Sequence, residues 1–113
     1  MPVTYTVALP DPALARGMHP ELSFDAEGPD AFAEQMQKAL RTTALFDDWA
    51  MMQPDPEDAD PLMGATDPDA TVSARLDSLR ILMSIRTSLP AQVIKHRLYL
   101  LAGSHWQLRD VRL

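Results

Sequence analysis

The residues with chemistry to offer are three histidines and a run of carboxylates. His19, His96 and His105 invite a metal or acid–base reading. None stands three or four residues from another, however, as a helical zinc pair requires. They fall in an expected loop, on an expected helix and at an expected strand start, so surface or capping histidines are the plainer reading. Six carboxylates, Asp55, Glu57, Asp58, Asp60, Asp67 and Asp69, follow one another with no basic residue among them. The stretch Asp-Pro-Glu-Asp-Ala-Asp-Pro has the composition of a calcium loop without its mid-loop glycine or distal glutamate. Its prolines limit how the carboxylates can converge, and solvated charge is the expectation. Asp47 and Asp48 beside Trp49 suggest an acid–base pair in an apolar pocket. Adjacent helical residues point about 100° apart, though, and do not face each other.

Other chemistries are excluded by composition. The chain has no cysteine, which removes disulfides, thiolate metal ligands and a cysteine nucleophile together. Gly17, Gly28, Gly64 and Gly103 stand singly, so there is no phosphate-cradling loop, and no G-x-S-x-G marks a serine nucleophile. No catalytic residue, metal site or cofactor is therefore expected, and the chain reads as a non-enzyme.

The elements that must position the carboxylates divide the charge unevenly. Met1 to Asp69 holds three basic residues against fourteen acidic ones, a net of −11, and Ala70 to Leu113 holds seven against two, a net of +5. The basic half is expected to meet part of this acidic excess inside the fold. An overall charge of −6 argues against a nucleic-acid binder, because affinity for phosphate comes from clustered Lys and Arg. At 113 residues the chain is the size of one domain, and its large side chains are spread over both halves. No signal-peptide pattern or run of about 20 apolar residues occurs, which points to a soluble, cytoplasmic protein and no membrane partner.

Val3, Tyr5, Val7 and Leu9 alternate with smaller residues as in a half-buried strand, and Leu22 and Phe24 mark a short second strand over Glu21–Asp25. Gly28-Pro29-Asp30 is a helix start, followed by an amphipathic stripe at Phe32, Met36, Ala39 and Leu40. The stripe rotates past Thr42-Thr43 to Leu45, Trp49 and Met52, which predicts a break there. Residues 53–69, with four prolines, form a long acidic loop.

Beyond the loop, Thr71–Leu79 fits strand or helix, with a turn or bulge at Asp77-Ser78 if it is strand. Leu79, Ile81, Met83 and Ile85 make a strand with a basic outer face. Pro90 to Ala102 is a helix with Val93, Ile94, Leu98 and Leu101 inward and Gln92, Lys95, His96 and Tyr99 towards solvent, stopped by Gly103. His105 to Leu113 is a last strand whose parity shifts near Asp110. The order β-β-α-loop-β-α-β describes an α+β domain, a sheet of about four strands with two main helices on one face.

The functional expectation is a protein-interaction domain of the adaptor, inhibitor or immunity kind. It presents Asp55, Glu57, Asp58, Asp60, Asp67 and Asp69, with Leu62 and Met63, to a basic partner. Trp49, Met51 and Met52 add soft apolar surface at the edge of the loop, with core packing as the competing reading. Homo-oligomeric assembly, basic faces of one copy against the acidic segment of another, is the alternative. A small enzyme without recognisable motif weighs less.

Overall fold

The computed structural model describes Pro2 to Leu113. Its elements are β1 (Val3–Leu9), α1 (Pro29–Arg41), α2 (Ala44–Met51), β2 (Thr71–Asp77), β3 (Arg80–Thr87), α3 (Ala91–Ala102) and β4 (Gln107–Arg112). Three short 3-10 turns lie at Pro12–Leu14, Pro56–Asp58 and Pro61–Gly64. The fold is α+β, a four-stranded antiparallel sheet in the order β2-β3-β1-β4 with the helices on one face. The thinnest dimension is 18 Å, about one sheet and one helix layer. No helix is long and apolar enough to cross a membrane among the described residues.

The period-2 pattern decides which face of the sheet is covered. Tyr5, Val7 and Leu9 of β1 and Ile81, Met83 and Ile85 of β3 are buried. Against them pack Phe32, Met36 and Leu40 of α1 and Val93, Ile94, Leu98 and Leu101 of α3. Each such side chain contributes about 1.5–3 kcal/mol relative to exposure. Helix α1 starts as its residues dictate: Gly28 is the extended N-cap, Pro29 opens the first turn, and Asp30 faces the positive end of the dipole. Lys38 and Arg41 sit in its last turn, and extended Thr42 ends it before α2 begins.

The second strand is not where the alternation of Leu22 and Phe24 suggested. Both residues are buried, but the Glu21–Asp25 segment forms no strand. Phe24 N–H donates instead to Leu101 O at 2.9 Å, docking the segment on the end of α3. Two alternating apolar residues suit any short segment laid on a core, here one that begins as a turn with Leu22 N–H donating to His19 O at 2.9 Å, so the pattern could not separate the two outcomes. The fourth strand is β2, which pairs with β3 from Thr71↔Arg86 to Asp77↔Arg80. Ser78, with φ of +59°, turns the hairpin. Of the turn or bulge expected at Asp77-Ser78 this is the turn, and it leaves Leu79 89% exposed at the tip rather than inward.

Helix α3 begins one residue after Pro90, which serves as its extended N-cap, and ends at Gly103 with φ of +63°. Gly17 lies against the same helix end, where a Cβ would run into the carbonyl oxygen of Leu100. In the β1–β4 register Thr6 faces Asp110 and Val7 faces Leu108, leaving Arg109 as the extra residue of a bulge. That is the parity shift expected near Asp110.

Candidate functional site

The acidic segment between α2 and β2 is tied to the fold at its far end and exposed at its near end. Asp55, Glu57, Asp58 and Asp60 are all exposed. Pro61 opens the second 3-10 turn of the segment, and the Asp60 carboxylate caps that turn by accepting from Leu62 N–H at 3.0 Å. Two turns thus replace the featureless loop, each starting at a proline whose missing N–H costs nothing in a first turn. Leu62 is 42% exposed and Met63 half-buried.

Two groups that pattern reading left without a structural role hold the far end. Arg97 is fully buried and, among the described residues, pairs with no carboxylate. Its guanidinium donates to Ala39 O at 3.0 Å, to Ala65 O at 2.9 Å and to Met63 O. It thereby joins the end of α1 and the second 3-10 turn to α3, and burial lowers its pKa from the usual value. Asp67, only 9% exposed, accepts from Thr87 Oγ1 at 2.7 Å, Ser88 N–H at 3.0 Å and Asp69 N–H at 3.0 Å. Those bonds, led by Ser88 and then Thr87, hold its carboxyl below the ordinary value against the opposing effect of burial. Asp67 is thus part of the framework, while Asp69 is exposed. The Phe46 ring closes over Gly64, leaving no room for a Cβ there.

At the near end the chain forms a shallow groove of about 330 Å³ lined by Trp49, Gln53, Pro54, Asp55, Asp58, Ala59 and Asp60. Trp49 is fixed from two sides, by the Phe46 ring at 5.7 Å and by an edge-on contact with His96 at 4.6 Å between centroids. His96 is therefore half-buried against α2 rather than turned to solvent, whereas Tyr99 is 51% exposed. His96 Nδ1 is buried without a hydrogen-bond partner, and desolvation, followed by the nearby Arg97 charge, lowers its pKa. Met51 and Met52, which precede the groove in the chain, are 75% and 39% exposed and so lie outside the core. No three His, Asp or Glu side chains converge to hold a metal ion among the described residues.

The basic half does not neutralise the acidic one through ion pairs. Among the described residues two are formed, Arg80–Asp77 at 3.0 Å and Arg112–Asp110 at 2.6 Å, both within the C-terminal half. Arg16 and Arg41, like Arg97, donate to backbone carbonyls, Ala26 O at 2.8 Å and Ala70 O at 2.7 Å. No ion pair among the described residues involves the carboxylates of the groove. Arg75 and Arg86 stand with Thr6, Ser73 and Ser84 on the face of the sheet that the helices leave open. Comparison with family models, curated proteins and solved structures finds no match for this chain.

Proposed function

We propose that this chain is a non-catalytic protein-interaction domain, of adaptor, inhibitor or immunity type, whose acidic groove takes a Lys- or Arg-bearing segment of a partner. The observation that carries this reading is the convergence of Asp55, Asp58 and Asp60 on one groove beside Trp49, with no cation among the described residues that line it. Carboxylates steer a basic segment towards the surface, and an indole face adds a cation–π contact for an ammonium or guanidinium. Exposed Met51, Met52 and Leu62 offer adaptable apolar contact next to it in the chain.

An NMR titration with an arginine-rich peptide tests the reading. The indole N–H of Trp49 is expected to shift, and the shift to vanish in Asp55→Asn/Asp58→Asn/Asp60→Asn and in about 0.5 M salt, where screening lengths shrink to a few ångströms. A Trp49 resonance that ignores the peptide, or responds equally in the neutralised variant, would sink it.

A further inference from the structure

Each edge of the sheet exposes backbone, but the two edges are treated differently. On the β2 edge, the Gln37 side chain of α1 accepts from Val72 N–H at 3.0 Å, and Arg41 covers the approach by donating to Ala70 O. On the β4 edge, no side chain bonds the backbone of residues 107–112 among the described residues. Leu108 and Val111 lie opposite Val7 and Tyr5 and so share their side of the sheet. Val7 and Tyr5 are buried, yet Leu108 and Val111 are 38% and 48% exposed, because the helix layer stops short of the edge.

The residues of this edge are complementary to themselves. Reading outward from the point between Arg109 and Asp110, arginine meets aspartate, Leu108 meets Val111, Gln107 meets Arg112 and Trp106 meets Leu113. In a regular strand this palindrome would not work, since residues 108 and 111 would point to opposite faces. The bulge at Arg109 removes the conflict by returning Leu108 and Val111 to one face. Bulges and charges on an edge strand ordinarily discourage pairing. Here the charges are adjacent and opposite in sign, and Asp110, whose Oδ2 accepts from Arg112 Nε at 2.6 Å in its own strand, has its Oδ1 without a hydrogen bond among the described residues.

We propose that the β4 edge is a homodimer interface. Two copies join antiparallel at β4 about a twofold axis between Arg109 and Asp110, and the two four-stranded sheets become one. Arg109 of each copy faces Asp110 of the other, and the Leu108 and Val111 side chains close together under the joined sheet. The interface uses neither the acidic groove nor its carboxylates, so it stands independently of the partner-binding reading.

Sedimentation equilibrium tests it on the intact chain. At a concentration on the order of 100 µM the expected mass is twice the 12.6 kDa of one chain, falling towards one on dilution. Arg109→Asp and Asp110→Arg each set like charges opposite one another and are expected to weaken association at least tenfold, while the double exchange restores it. A mass of one chain at every concentration overturns the proposal. So does association that the single exchanges leave unchanged, or that the double exchange fails to recover. Hydrogen exchange on the unaltered chain gives a reading free of folding defects: amides in residues 107–112 gain protection as concentration rises, and concentration-independent protection there counts against the interface.

Discussion

Arg97 shows how much one side chain can organise. Its bonds reach carbonyls 58 and 32 positions away in the chain, at Ala39 and Ala65. Arg97→Met leaves those acceptors without a donor, and we expect a loss of about 3 kcal/mol in urea unfolding together with faster proteolysis of the acidic segment. Arg97→Lys recovers part of this, because one ammonium cannot reproduce a planar fork across three carbonyls. Two titrating groups contribute to the acid limb of stability. The folded pKa of His96 lies below the usual 6.5, so its contribution is present above that pH and is lost as pH falls through the folded value. The folded pKa of Asp67 lies below 3.8, so its contribution is complete above that pH and fades further down. The denaturation midpoint is expected to fall in two stages on acidification. His96→Phe removes the upper stage and Asp67→Ala the lower.

Among the elements, those with a full amphipathic period behave as their patterns predict, and the connections do not. The 19-residue stretch from Pro10 to Gly28 has a single 3-10 turn, yet buries Ala15, Leu22, Phe24 and Ala26. It does so by lying across the end of α3, where Gly17 meets Leu100. Gly17→Ala is expected to cost about 1–3 kcal/mol, since backbone rather than a movable side chain occupies the space. Thermal unfolding followed by circular dichroism measures it, and Gly28→Ser, which keeps a favoured N-cap residue at a position with open space around its Cβ, provides a control near zero. The acidic segment divides likewise: slow amide exchange is expected at Asp67, whose N–H is bonded to Leu40 O at 2.8 Å, and fast exchange at exposed Glu57.

At the scale of the whole molecule, charge is segregated rather than cancelled. Carboxylates gather at the groove beside α2, Arg16, Arg41 and Arg97 serve the backbone, Arg75 and Arg86 occupy the open sheet face, Arg80 and Arg112 pair with Asp77 and Asp110, and the outer edge beside β1 lies at β4. The proposed partner groove and the proposed dimer edge therefore share no residue. The neutralised groove variant is expected to sediment as the parent does. Arg109→Asp, monomeric, is expected to bind an arginine-rich peptide with unchanged affinity per chain in calorimetry. Loss of both properties in either variant would show a single shared surface instead.

Strands β1 and β3 and helices α1 and α3 were legible in the residues alone, as were the break at Thr42-Thr43 and the shift in β4. Each rests on hydrogen-bond periodicity and on apolar spacing among near neighbours, information carried within a few turns of chain. The carboxylates of the groove were visible as composition. Their convergence beside Trp49 was not, nor was the separation of structural Asp67 from exposed Asp55, Asp58 and Asp60. Contacts such as Asp67 with Thr87, His96 with Trp49 and Arg97 with Ala39 join residues 20 to 58 positions apart. Such contacts exist only once the sheet and helices have packed, because a local pattern specifies which face is apolar but not which polar group of a distant segment will come to lie against it.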